Sequence, residues 1–112
     1  MIEQLALPVK SPAPEVTSAE VETVCEFLRG KGWIKAAQIA EILKIDDRKI
    51  RAITEHSEGL ILSGPGCPGY KLFDGRAEIG EADQAASRLE SQARHMLNRA
   101  IAYRRRIHHY AR

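Results

Sequence analysis

Three cations, Arg48, Lys49 and Arg51, lie close together in the sequence, interleaved with Ile50 and Ile53. Isoleucines three residues apart share one face of a helix, so the cations would point away from the core. Arginine can bind guanine through two hydrogen bonds, and lysine more often contacts phosphate. The chemistry that these residues support is contact with a nucleic acid. The alternative is an ordinary solvated face, which any surface helix with two buried isoleucines would show.

The helix that carries these cations is predicted to run from Asp47 to about His56. Asp46 is a good N-cap because its carboxylate can accept a hydrogen bond from an unpaired N–H of the first turn. Asp47 suits the positive end of the helix dipole. These two acids also count against a bound phosphate at the helix start, since they occupy the anion site. The outward face is expected to include Ala52 and Glu55 as well.

The segments on either side give this helix its setting. A helix is predicted over residues 36–43, a turn over 44–46, and a hairpin with strands at 60–62 and 70–73. This order is that of a winged helix-turn-helix, in which the second helix enters a DNA groove and the hairpin lies against the backbone. In that setting, DNA contact is favoured over a solvated face. Lys71 is expected to assist from the wing, although an exposed strand lysine needs no ligand.

The hairpin tip, residues 63–69, contains the spacing GxGxxG at Gly64, Gly66 and Gly69. A dinucleotide-binding fingerprint must follow a strand and open a helix. Here a strand follows instead, and the loop contains two prolines. The tip is therefore predicted to be a wing loop in which glycine supplies positive φ and proline stiffens the backbone.

The first helix is predicted to begin at Thr17 or Ser18, because Thr17 and Glu20 have the spacing of a capping box. Glycines after residue 29 would end it. Residues 33 and 34 are expected to add a minimal third strand beside the hairpin. The predicted core side chains of the first two helices are Val21, Val24, Cys25, Leu28, Ile39, Ala40, Ile42 and Leu43.

A long helix is predicted from about Glu81, with Gly80 at its N-cap, because residues 81–112 contain no proline or glycine. About thirty residues at a rise of 1.5 Å would reach about 45 Å, so part of this helix should project from the body. Its apolar residues follow alternating spacings of three and four, which define a heptad seam. The seam consists of Ala86, Leu89, Ala93, Met96, Ala100, Tyr103, Ile107 and Tyr110.

Two arrangements of the seam remain open. The helix either pairs with its twin in a homodimer or folds back on the first helix of its own chain. Alanines bury little area, so the seam is weaker than a leucine zipper. The residues expected at the dimer interface are Leu89, Ala93, Met96, Ala100, Tyr103 and Ile107.

The charge of the chain is unevenly distributed. Residues 85–112 contain seven arginines and one acid, Glu90, although the net charge of the whole chain is only +2. A basic end on an acidic body indicates a phosphate or another acidic partner, or else a solvated helix face. Arg104 and Arg105 are interleaved with aromatic residues and are expected to add nonspecific affinity for DNA.

The length of 112 residues, 44% of them hydrophobic, predicts one domain with a modest core. We divide the chain into a mobile arm (1–15), a winged-helix domain (16–75), and a linker with a long basic helix (76–112). The two cysteines form no disulfide or zinc pattern and the start lacks signal-peptide features, so a reducing cytoplasm is expected. No apolar run approaches the ~18 residues of a membrane helix. No catalytic arrangement, metal site or cofactor is expected.

Several motifs together resemble small winged-helix proteins encoded by bacteriophages and prophages. They are the segments 46–51, 59–63 and 69–72, followed by a helix like that over 89–100. The resemblance covers about residues 19–107. It implies DNA binding in phage replication or gene control.

We therefore expect a non-enzymatic protein, mainly α with a small β-hairpin, that binds double-stranded DNA through the helix 46–57 and the wing 60–73. A homodimer through the C-terminal helix is expected, with phage replication or transcriptional control as its setting. The alternative is a winged-helix protein-interaction module that docks on a phage replication or packaging partner. Strong salt dependence on DNA would separate the two, because phosphate contacts release counterions.

Overall fold

The computed structural model describes residues 14–111, so all of the predicted arm except Pro14 and Glu15 lies outside the described residues. The fold is a winged helix-turn-helix followed by a long C-terminal helix, as the sequence predicts. Its elements are α1 (Ser18–Leu28), α2 (Ala36–Leu43), α3 (Asp47–His56), β1 (Ile61–Leu62), β2 (Lys71–Leu72), a 3₁₀ helix (Arg76–Glu78) and α4 (Ile79–Ala111).

The start of α1 is fixed by the predicted capping box. The Glu20 backbone N–H donates to Thr17 Oγ1 at 3.2 Å, and the Thr17 backbone N–H donates to Glu20 Oε1 at 2.9 Å. These two bonds satisfy donors that the first turn would otherwise leave unpaired. After the helix ends, Gly30 adopts φ +73°, a conformation that favours glycine.

The core lies between the three short helices and the hairpin. Burial of each large aliphatic side chain stabilises the fold by about 1.5–3 kcal/mol. Most of the predicted core side chains of α1 and α2 are buried or partly buried. The buried cluster consists of Val24, Cys25, Leu28, Ile39, Ile50, Ile53, Ile61, Tyr70 and Leu72.

One predicted core residue of α2 is wrong: Ile42 is 59% exposed. The covered face of α2 is centred on Ile39, which is fully buried, with Ala40 and Leu43 partly buried beside it. Ile42 follows Ile39 by three residues and therefore lies at the opposite edge of this face from Ala40 and Leu43.

The turn between α2 and α3 is short because Lys44 adopts a left-handed conformation with φ +59°. This residue ends α2, and Ile45 then packs partly buried against the core, as predicted. The chain can therefore reverse direction within a few residues and start α3 at Asp47.

The wing is a two-stranded antiparallel sheet in which Ile61 pairs with Leu72 and Leu62 pairs with Lys71. Ile34 adds the predicted minimal third strand through a bridge to Tyr70. The Ile34 N–H donates to the Tyr70 carbonyl at 2.9 Å, and the Tyr70 N–H donates to the Ile34 carbonyl at 2.8 Å. This bridge ties the wing to the segment between α1 and α2.

The long helix α4 begins at Ile79, directly after the 3₁₀ helix, so the predicted N-cap at Gly80 is wrong. Its 33 residues correspond to about 50 Å at 1.5 Å per residue. Ala85 is its one buried residue, and every side chain over 92–111 is exposed. This part of α4 therefore projects from the body and does not fold back on α1.

Among the glycines of the wing, Gly69 has the least space for a side chain. A Cβ atom at residue 69 would lie 2.4 Å from the Ile34 carbonyl oxygen. We predict that Gly69→Ala lowers the free energy of unfolding by about 1–3 kcal/mol, because the backbone must shift to relieve the overlap. Chemical denaturation followed by circular dichroism measures this loss.

The matched control is Gly32→Ala, because a Cβ atom at residue 32 would meet nothing within 4 Å and the residue has no positive φ. This variant should be as stable as the natural chain or slightly more stable. Equal stability of the two variants would contradict the close approach of residue 69 to Ile34.

Candidate nucleic-acid interface

The orientation of α3 is fixed by its cap and by two isoleucines. Asp46 accepts a hydrogen bond from the Lys49 backbone N–H at 2.8 Å, as the sequence predicts for an N-cap. Ile50 and Ile53 are fully buried. The N-cap and the two buried isoleucines fix the orientation of α3. The face of α3 opposite the isoleucines is therefore presented to solvent.

The solvent-facing side of α3 contains Arg48, Arg51 and Glu55, all exposed as predicted. Arg51 also forms an ion pair with Asp47 one turn earlier. Both side chains of this pair are more than half exposed, so the pair contributes little to stability. An incoming phosphate or base edge can therefore replace Asp47 as the partner of Arg51 at small cost.

The prediction that Ala52 belongs to the outward face is wrong, because Ala52 is only 7% exposed. The buried face of α3 extends from Ile50 through Ile53 to Ala52, which is wider than two isoleucines alone indicate. A small side chain at residue 52 lets the neighbouring structure approach the helix closely.

Lys49 is directed towards the start of α1 and not towards solvent. Its ammonium group forms an ion pair with Glu20 at 2.9 Å and donates to the Glu15 carbonyl at 2.5 Å. The Lys49 side chain is 22% exposed. The pKa of Glu20 is lowered, first by the backbone hydrogen bond from Thr17 and then by the Lys49 ammonium. Lys49 therefore connects α3 to α1, unlike the exposed cation that the sequence predicts.

Lys71 is also held by the body of the protein. Its ammonium group contacts Glu81 Oε1 at 2.5 Å, and its side chain is only 18% exposed. Trp33 Nε1 donates to the other carboxylate oxygen of Glu81 at 3.0 Å. The Lys71 ammonium lies 5.9 Å from the centre of the Trp33 ring. These three side chains connect β2, the segment before α2, and the first turns of α4.

The wing tip has a cation beside it that the sequence motifs do not indicate. A Cβ atom at Gly66 would lie 3.1 Å from Cδ and Nε of Arg88, which belongs to α4. A Cβ atom at Gly64 of the same loop would lie 3.4 Å from the Leu89 side chain. Between residues 63 and 69 the wing has no charged side chain of its own. Arg88 belongs to the basic residues of 85–112 that the sequence shows. Its position beside the wing tip follows only from the packing of α4 on the wing.

The structure does not bring Arg104 and Arg105 near α3 within one chain. Arg104 follows Ala85, the buried residue of α4, by 19 residues. That separation is about 28 Å of helix. Both arginines are exposed, as are the six residues predicted for the dimer interface. Over the part of the chain that the structure describes, the interface residues of α3 and the wing therefore form one group, and the distal arginines form another.

Two further findings concern the described residues. Among residues 14–111, no three His, Cys, Asp or Glu side chains are grouped so that they could hold a metal ion. No helix in the same range has the length and apolar composition that crossing a membrane requires.

No protein-family model matches the sequence, and no curated protein or solved structure matches it with significance. The fold and the side chains that it exposes are therefore the basis on which a function can be proposed.

The contact of Glu81 with Trp33 generates a prediction about pH. The pKa of Glu81 is lowered from 4.5, first by the Lys71 hydrogen bond and then by that of Trp33. Since the lowered pKa belongs to the folded state, the contribution of Glu81 is complete above pH 4.5 and is lost as the pH falls through the lowered pKa. We predict an acid transition in the fluorescence of Trp33, the one tryptophan of the chain.

Glu81→Gln should remove or weaken this transition, because glutamine remains neutral throughout the titration. Glu90→Gln removes an exposed acid from the same helix and should titrate like the natural chain. An unchanged acid transition in Glu81→Gln would show that this carboxylate does not control the environment of Trp33.

Proposed function

We propose that this chain binds double-stranded DNA, with α3 in the major groove and the wing against the neighbouring backbone. The observation that carries the proposal is the capped, isoleucine-anchored α3 of a winged helix-turn-helix, which presents Arg48 and Arg51 to solvent. Helices in this position of the fold present their side chains to base edges. The proposed role requires no catalytic group and no cofactor.

Each polar residue of the interface has a proposed task. Arg48 and Arg51 contact guanine edges or phosphates, and Glu55 can accept a hydrogen bond from the amino group of cytosine. Lys49 acts indirectly, because its ammonium holds α3 against α1. Lys71 is paired with Glu81, so its charge is not directed to DNA. Arg88, beside the wing tip, supplies the positive charge there instead.

The distal arginines have a different proposed task. Arg104 and Arg105 would add affinity that does not depend on sequence, since phosphates are attracted by any exposed cation. We propose phage or prophage replication or gene control as the setting, on the strength of the motif resemblance over about residues 19–107. This setting agrees with a small chain that has one recognition helix and a basic extension.

A second candidate function is docking on a protein, such as a replication or packaging partner. Asp47 and Glu55 alternate with the two arginines on the exposed side of α3, so this surface is mixed in charge. Mixed charge fits a protein surface better than a row of phosphates. DNA binding remains the first proposal, because the fold presents α3 and the wing together.

The double variant Arg48→Ala/Arg51→Ala tests the role of α3. We expect the affinity for a labelled mixed-sequence duplex at low salt to fall roughly tenfold or more. The slope of log affinity against log salt should also fall by about one for each of these arginines that contacts a phosphate, whereas a lost contact to a base edge leaves the slope unchanged. Fluorescence anisotropy at about 50 and 200 mM salt measures both quantities.

The control is Lys31→Ala/Arg76→Ala, which removes the same charge from two exposed positions outside α3. It should retain most of the affinity. A folded Arg48→Ala/Arg51→Ala variant with the natural affinity and slope would reject α3 as the interface. No binding by the folded natural chain at low salt would instead favour the protein-docking function.

Arg88→Ala tests the wing. We predict a several-fold loss of DNA affinity and a decrease of about one in the salt slope, since one phosphate contact is removed. The matched variant is Arg94→Ala, which removes the same charge from an exposed position of α4 on a different face. Equal effects of the two variants would mean that Arg88 acts only through net charge.

A further inference from the structure

The seam of α4 is exposed along its whole length in the single chain. Its large members, from Leu89 to Tyr110, are between 48% and 91% exposed. A contiguous apolar stripe of this length is rare on the surface of a monomer and marks an interaction site. Small and large residues alternate along it, because every second position up to Ala100 is alanine.

We propose that a second copy of this chain covers the seam, with the two α4 helices antiparallel and centred on Asn98. This arrangement assigns an orientation and a register to the dimer, and it is independent of whether the protein binds DNA. Three observations support it: the sizes of the seam residues, the charges beside them, and an apolar groove at the base of α4.

The sizes of the seam residues fit an antiparallel pair. With Asn98 at the centre, each alanine of one helix faces a large side chain of the other, so the two surfaces interdigitate. A parallel pair in register would instead place alanine against alanine in three layers and leave voids there. The facing pairs in the antiparallel arrangement are Ala86 with Tyr110, Leu89 with Ile107, Ala93 with Tyr103, and Met96 with Ala100.

The charges beside the seam favour the same orientation. Glu90, Leu97 and Arg104 each follow a large seam residue and therefore lie along one edge of the seam. In an antiparallel pair this edge meets its own copy, so Glu90 of each chain faces Arg104 of the second copy and the Leu97 side chains meet between them. A parallel pair would instead bring Arg99 against Arg104 of the second copy.

The opposite edge of the seam contains Arg99, which approaches Arg99 of the second copy near the centre. Within its own chain, Arg99 donates to the Tyr103 hydroxyl at 3.2 Å and its guanidinium lies 6.0 Å from the centre of the Tyr103 ring. These contacts direct the guanidinium along its own helix. The repulsion between the two copies is thereby reduced, and both groups remain in solvent.

An apolar groove lies where α4 leaves the body. It has a volume of about 530 Å³ and is lined by the wing, the end of α3 and α4, with Phe73, Ala86 and Leu89 among its residues. In the proposed register, Tyr110 of the second copy faces Ala86 at this groove. Tyr110 is 91% exposed in the single chain, so the groove offers cover to the most exposed member of the seam.

Distances between spin labels test the orientation. In the Cys67→Ser background, a label is attached at Ser87→Cys, and Cys25 is buried and should not react. An antiparallel pair separates the two labels by at least about 33 Å along the helices, since residue 87 lies level with residue 109 of the second copy. A parallel pair would place the two labels level with each other, so that only about 8–10 Å between the helix axes and the outward reach of the two side chains would separate them.

A label at Asn98→Cys serves as the control, because its two copies lie level with each other along the helices in either orientation, on the outer faces of the pair. A clearly longer distance at residue 87 than at residue 98 supports the proposal. Similar distances at the two positions would overturn the antiparallel orientation. No measurable distance at residue 98, with sedimentation showing only monomer at about 100 µM, would overturn the dimer itself.

A charge exchange tests the register. Glu90→Arg should raise the dimer Kd roughly tenfold, because the pair with Arg104 occurs twice in each dimer and like charges replace it. The double variant Glu90→Arg/Arg104→Glu should restore most of the affinity. Arg105 is one position farther along and faces away from this edge. Arg105→Glu should therefore leave the Kd of the natural dimer, and that of the Glu90→Arg/Arg104→Glu dimer, nearly unchanged.

A double variant that dimerises no better than Glu90→Arg would overturn the register. Sedimentation without DNA measures all of these constants, so a failure here leaves the DNA proposal untouched. Conversely, a chain that dimerises as described but does not bind duplex DNA would reject only the proposed function.

Discussion

The burial of Ile50 and Ile53 determines which side of α3 faces solvent. Both side chains lie in the core beside Leu28 and Ile39, and rotation of α3 would expose them and lose several kcal/mol of apolar burial. The cap at Asp46 fixes the N-terminus of the same helix. Because α3 cannot rotate, the exposed arginines have defined positions relative to the wing, which a recognition surface requires.

Three cations of the candidate interface differ in the acids near them. Lys49 and Lys71 are partly buried and paired with Glu20 and Glu81, so removing either lysine would leave a carboxylate without its cationic partner. Arg51 is paired only with an exposed aspartate of its own helix. Ion pairs that are partly screened from water hold elements together, whereas exposed ones exchange easily with a ligand.

Local patterns in the sequence predict much of this fold. The capping spacing of Thr17 and Glu20, the cap at Asp46 and the spacing of Ile50 and Ile53 act within one helical turn, so the sequence alone indicates them. The tertiary surroundings determine the rest. Ile42 is apolar but exposed, because the side of α2 that is covered depends on where the other elements pack.

The candidate site was less predictable than the fold for the same reason. The pairing of Lys71 depends on Glu81, ten residues later, and the place of Arg88 depends on how α4 packs against a glycine loop. Ala52 is buried because of the structure packed against its side of α3. The spacing of the apolar residues within α3 does not predict this burial. Contacts between distant segments decide which charged residues of a predicted interface are available.

The uninterrupted length of α4 sets a distance. In the proposed antiparallel pair, Ala85 of each chain marks where its body begins, and these two points lie 26 residues apart along the helices. At 1.5 Å per residue the separation is about 39 Å. One turn of duplex DNA is about 34–36 Å long. If the pair binds duplex DNA as proposed, the length of α4 sets the separation of its two bodies, so inserting or deleting residues in α4 would change the preferred spacing of half-sites.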